Sequence, residues 1–234
     1  LLIRPTKLKM NKEKLKLLSF FITGILLISN VIQAQEGRFG GELDMEVTNK
    51  ISWEIGGEIR LENRISEFET ALLETSISYQ IDEHFQIKSG YRHYFISNNY
   101  LVTGSPDQQK DRITTSLYAE KEVAEDLEVQ YRFRYQWQKE FKVRNVDSRQ
   151  YLRSRLQLDY NLTSIADPYI SGEFYYRIDE EHQIHQWRFE FGLDIELTDK
   201  LDMDVFYRHE RDVNIPLREI DRIIEVNLQY NLKW

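Results

Sequence analysis

From Ile51 to the last residue the chain alternates apolar and polar side chains in short, regular runs. The clearest is the final stretch, Ile-Glu-Val-Asn-Leu-Gln-Tyr-Asn-Leu-Lys-Trp. Its apolar positions are Ile224, Val226, Leu228, Tyr230, Leu232 and Trp234, with a polar residue between each pair. Successive side chains of a β-strand point to opposite faces, so a period of two predicts a strand whose faces meet different surroundings. Nine further segments read the same way. They begin near Ile51, Thr70, Phe85, Ile113, Leu127, Leu152, Ile170, Trp187 and Leu201. Most are longer than the ~5–6 residues usual in soluble sheets and close to the ~9–11 of a tilted strand crossing a bilayer.

The connections alternate in length. Asp82–His84, Glu122–Asp126, Asn161–Asp167 and Thr198–Lys200 are tight, whereas Ile96–Gln109, Gln138–Asp147, Asp179–Gln183 and Arg211–Ile220 are read as the longer set. Short turns on one rim and longer loops on the other, with the C-terminus on the short-turn side, match a bacterial outer-membrane barrel. Aromatics mark both ends of the strands. Trp53, Phe85, Tyr160 and Trp234 lie near the short turns, and Trp137, Trp187 and Tyr207 nearer the long loops, as in membrane-interface girdles. The predicted fold is all-β: a single antiparallel transmembrane barrel of about ten strands, with twelve as the alternative. Residues 39–48 also alternate (Phe39, Leu43, Met45, Val47). Counting them gives an odd number, so they are read as a partial strand or a segment in the lumen.

The N-terminus follows a different pattern. Met10 opens a basic region (Lys12, Lys14, Lys16), followed by an apolar run from Leu17 to Ile28 and then Gln33-Ala34-Gln35. This order predicts a secretory signal peptide over 1–34, cut between Ala34 and Gln35. Residues 1–9 then lie upstream of the true start at Met10. The barrel domain is 35–234.

Composition narrows the choice of function. The 14 Tyr, 12 Phe and 4 Trp argue against disorder. A net charge of −8 with no basic run argues against nucleic-acid binding. The absence of cysteine removes disulfides and thiol chemistry.

Alternation alone leaves open which face looks inward; a lipocalin-type barrel would hide the apolar face and expose the charged one. In the membrane arrangement the charged face lines the lumen. It carries Glu54, Glu58, Arg60, Arg92, Arg132, Arg134, Arg153, Arg155, Arg188, Glu190, Asp202, Asp204 and Arg208, with Lys88, Glu173 and Glu225 on the same face. So many mixed charges in a narrow cylinder predict guanidinium–carboxylate pairs, because an unpaired buried charge is costly.

Catalytic chemistry finds little support. His93 shares its apolar face with Ser89 and Ser97, but four residues of strand span about 13 Å, far beyond nucleophile–base reach. Register counting places Leu73 and Ile113 beside it. His182 and His185, with Asp179, Glu180 and Glu181, read as a solvated acidic loop rather than a metal site. Asp202 and Asp204, near Arg208, read as ion-pair partners and not a general acid–base pair. No catalytic, cofactor or metal residues are assigned.

The signal ending Gln33-Ala34-Gln35, the hairpin Glu42–Arg64 with its Asn49-Lys50 turn and Trp53, the Tyr91-Arg92-His93-Tyr94 strand and the Tyr-rich end resemble a family of predicted barrels common in Bacteroidetes, the domain of unknown function 2490. That resemblance implies an outer-membrane barrel of a Gram-negative bacterium and carries over no site residues. Tyr230, Leu232 and Trp234 resemble the terminal signal read by the barrel-assembly machinery. The partners expected are that machinery and outer-membrane lipid, with oligomeric state left open. The first functional expectation is a narrow barrel with a structural interior and contact-making outer loops; the alternatives are a small-solute channel and a lipid hydrolase.

Overall fold

The computed structural model describes residues 34–62, 64–97, 108–141, 146–162, 165–179, 182–214 and 220–232. Eleven strands follow one another along the sheet: β1 Glu36–Thr48, β2 Ile51–Glu62, β3 Glu67–Gln80, β4 Phe85–Ile96, β5 Gln108–Ala124, β6 Leu127–Phe141, β7 Val146–Tyr160, β8 Ala166–Arg177, β9 Gln183–Thr198, β10 Leu201–Asp212 and β11 Ile220–Leu232. Each pairs antiparallel with its neighbour in sequence, as hairpin-connected strands must. The sheet closes where β1 meets β11 in parallel, Glu36 facing Ile223 through to Met45 facing Leu232.

This closure corrects two expectations. The wall has eleven strands, and residues 39–48 are neither a partial strand nor a plug but the greater part of β1, hydrogen-bonded on both edges. The barrel also carries one parallel seam. Up-and-down hairpins give neighbours opposite directions, so an odd count makes the first and last strands run the same way. Leaving ten strands to close alone would strand one row of N–H and C=O groups on β1, a severe penalty wherever water is absent.

The two faces are sorted by polarity. Phe39, Trp53, Leu73, Ile77, Phe133, Leu156, Phe174 and Phe189 are among a large set of apolar side chains on the outer surface. The buried set is rich in Arg153, Glu173, Glu190, Glu210, Gln136 and serines. A soluble barrel has the reverse arrangement. The short links cluster at one rim, with Lys50, Asp82, Asp126 and Asp199. The opposite rim carries the ends of strands that run further than the sequence pattern suggests, as β5 does in starting at Gln108. Two consecutive positive-φ residues, Arg64 and Ile65 (63° and 66°), turn the chain between β2 and β3 at that far rim.

Candidate functional site: the charged lumen

Along each strand every second residue points inward, and pairing aligns these residues into rows across the wall. One row runs Tyr118, Arg132, Arg155, Glu173, Arg188, Glu210 from β5 to β10. Some guanidinium groups pair with a register partner, as Arg188 does with Glu210 and Arg208 with Glu190, and others, such as Arg153, reach into the next row for a carboxylate.

Glu173 is the hub. One carboxylate oxygen accepts from Arg132 Nη2 (2.6 Å) and Arg153 Nε (3.1 Å), the other from Arg153 Nη2 (2.8 Å). Arg153 also donates to Gln136 Oε1 at 2.8 Å. Glu190 takes Arg155 (2.7 Å) and Arg208 (2.6 Å), and Arg208 continues to Glu225 (3.0 Å). Arg188 pairs with Glu210 at 2.9 Å, and Arg38 lies within 4.0 Å of both Glu210 and Glu225. On the facing wall Arg60 pairs with Glu58 (2.6 Å), Lys88 with Glu54 and Arg92 with Glu74. A carboxylate shared by two guanidiniums, one of them bidentate, is well satisfied, which offsets the cost of taking its charge out of water.

Asp202 and Asp204 also lie on the inward face, but neither pairs with Arg208. Asp202 accepts from Asn231 Nδ2 (2.7 Å), and Asp204 accepts from the Tyr169 hydroxyl (3.0 Å). Arg208 is drawn to the two neighbouring strands, to Glu190 on β9 and Glu225 on β11. Sequence reasoning did not include Arg38, Arg112 or Glu210. Each continues the inward parity of its strand, so extending the alternation by one or two steps finds them.

Voids lie along the axis among the described residues. One of about 360 Å³ is mid-lumen. Glycines and small residues (Gly40, Gly56, Gly90, Ser76) line one side, and Arg132, Arg134, Arg153 and Arg155 the other. A second of about 170 Å³ shares Lys88 and Tyr118 with it. A third of about 260 Å³ at the short-turn rim shares Gln80 and Gln86 with the second. Toward the other rim the interior is filled among the described residues: Leu72, Tyr94, Tyr151, Tyr175, Gln138 and Ile223 are all buried there. Tyr94 is wholly covered, and its ring is approached by Arg60, Arg92, Lys110 and Arg112 at 4.5–5.9 Å.

Outward aromatics stand near both rims and also between them, as Tyr91, Phe133 and Phe189 do. Trp53 is exposed near the short turns, its indole donating to Thr75 Oγ1 (2.8 Å), and Phe85 and Tyr160 stand near the same rim. Trp137 and Trp187 lie toward the other, with Trp187 against His209 (5.4 Å between rings), whereas Tyr207 stands near the middle of β10. Tyr230 is exposed and Leu232 ends β11; Trp234 lies outside the described residues. So do residues 1–33 of the predicted signal peptide. Ala34 begins the described chain, and Gln35 already bonds the Arg222 carbonyl of β11 at 2.9 Å.

Of the two neighbours that counting assigns to His93, Leu73 on β3 is its register partner and Ile113 is not. Its β5 partner is Asp111, not Ile113, because β5 begins five residues earlier than the apolar pattern does. His93 Nδ1 lies 2.6 Å from Asp111 Oδ1, which also accepts from Tyr91 (2.7 Å). Ser89 pairs instead with Thr115. His182 and His185 are separated: the His185 ring packs 5.7 Å from buried Tyr151, while Asp179 binds Arg177. Glu180 and Glu181 lie outside the described residues.

The chain belongs to the family described as "Protein of unknown function (DUF2490)", whose match spans residues 40–216. No curated protein matches it. Among solved structures it is similar to the NanC porin, at 14% identity over 84% of this chain and 98% of that one, with a TM-score of 0.50. It is also similar to the KdgM porin in complex with disordered oligogalacturonate, at 14% identity over 82% and 90% (TM-score 0.46). A third is the beta domain of the Bordetella autotransporter BrkA, at 11% identity over 78% and 84% (TM-score 0.49). At these identities the likeness is one of fold.

Proposed function

We propose that this barrel resides in the outer membrane, held there by its apolar outer face, and works as a narrow channel or compartment for small polar solutes rather than as an enzyme. Export by an N-terminal signal and insertion through the Tyr230–Trp234 end belong to the same reading. The observation that carries it is the mid-lumen void. A barrel interior that served only to brace the wall would be packed throughout, since empty space forfeits contacts. Here about 360 Å³ stays open among charged and hydroxyl groups, where ~15 Å³ suffices for a water. Polar voids of this kind hold water, and this one continues toward the short-turn rim. The likeness to a porin fold supports the reading without specifying a solute.

The test is conductance of the purified, folded protein in planar bilayers. Reproducible unitary currents support the channel. Silence from correctly folded protein favours a second reading, a closed structural barrel, for which the covered Tyr94, Tyr151 and Tyr175 in the far half speak.

A further inference from the structure

The void is not electrically balanced. Ten arginines and lysines line it against seven glutamates, in a chain whose net charge is −8. The excess has an identifiable source. Arg134 donates to Ser116 Oγ (2.7 Å) and the Tyr118 hydroxyl (3.2 Å), and Arg112 to Gln138 Oε1 (3.4 Å) while lying over the Tyr94 ring. Among the described residues neither meets a carboxylate. The Nε atoms of Arg112 and of Arg132 are buried with no hydrogen-bond partner. Every other arginine bordering the void has a glutamate. The small-residue wall of Gly56, Gly90 and Thr114 leaves the space open beside these groups.

Uncompensated guanidinium groups beside a water-sized space attract negative charge, and low-dielectric walls strengthen that attraction by focusing the field. Guanidinium also matches the planar, two-oxygen geometry of carboxylate and phosphate. We propose that the mid-lumen void is an anion site, selecting small solutes that carry a carboxylate or phosphate group, with Arg112 and Arg134 as the residues that confer the preference. This deepens the solute-compartment reading and rests on it for access from solvent.

Two measurements test it separately from that reading. In bilayers under a potassium chloride gradient, the reversal potential is expected to show severalfold preference for chloride. The Arg112→Gln/Arg134→Gln double variant should bring the ratio close to unity. Currents that are unselective, or selective for potassium, would overturn the anion site and leave the channel standing. If the protein conducts nothing, thermal unfolding in detergent decides. At constant ionic strength, inorganic phosphate and a small dicarboxylate should raise the midpoint over chloride in the native protein and not in the double variant. Equal midpoints in the native protein, for both anions, would refute the proposal. Gel mobility of the unheated double variant, matching the native protein, establishes that it has folded.

Discussion

Tyr169 lies flat across Gly192. The two are direct cross-strand partners on β8 and β9, and a Cβ placed on Gly192 would stand 2.2 Å from the Tyr169 ring. The missing side chain is what lets the ring lean over the neighbouring strand and donate its hydroxyl to Asp204 on β10 at 3.0 Å. One tyrosine thus bridges three strands at the lumen surface.

Gly192→Ala should therefore push the ring off its strand and cost about 1–3 kcal/mol, the usual range for overpacking. Tyr169→Phe keeps the ring and loses the bond to Asp204, at about 1 kcal/mol. Urea unfolding in detergent micelles, followed by tryptophan fluorescence, compares the two. The alanine variant is expected to be the less stable.

Glu173 satisfies two arginines at once, so its loss has no local remedy. Glu173→Gln removes the charge that neutralises Arg132 and Arg153, both closely enclosed. Breaking a buried pair by deleting one partner costs about 3–5 kcal/mol. The expected readout is a lowered midpoint in the same unfolding experiment. Adding Arg153→Met to Glu173→Gln should recover part of the loss.

Phe133 tests the orientation of the wall. It projects outward halfway along β6, where an arginine in contact with acyl chains costs about 2–4 kcal/mol. Val123, outward near the short-turn end of β5, should tolerate arginine at about 0–1 kcal/mol. Unfolding of both variants in lipid vesicles measures the contrast, and equal costs would contradict an acyl environment around Phe133.

The parallel seam can be trapped covalently. Leu43 and Tyr230 are register partners across β1 and β11, and the chain has no cysteine of its own. Leu43→Cys with Tyr230→Cys should cross-link within one chain under mild oxidation and shift its gel mobility. If β1 lay inside a ten-stranded wall, the pair would stay reduced.

Trp53 reports the membrane level of the short-turn rim. With the other three tryptophans replaced by phenylalanine, its emission should be quenched by lipids brominated near the headgroup. It should be quenched less by lipids brominated at the chain ends, as expected of an aromatic at the interface.

Much of this was legible in the order of residues. Alternation from Ile51 onward fixes strands, their lengths and the parity of inward groups, because a side chain's face depends only on its position along an extended backbone. Hence Arg132, Arg153, Glu190 and Arg208 could be assigned to one face without coordinates. The same logic stops where the pattern weakens. Gly40 and Gly41 interrupt the apolar rhythm of β1, and Gln108–Arg112 are polar on both faces, so a full wall strand reads as a partial one and β5 reads as starting too late. The wrong neighbour for His93 follows directly, since a register is inherited from where a strand begins.

Sequence by itself determined that this is a β-structure with one greasy and one charged face. Only the tertiary structure decided that eleven strands close through a parallel seam, because closure depends on which two edges remain unpaired after all hairpins have formed. It also decided which charges meet. Asp204 turns to Tyr169, Glu173 gathers two arginines, and among the described residues Arg112 and Arg134 are left without a carboxylate, since such pairings depend on the register between neighbouring strands and on how far each side chain reaches along them.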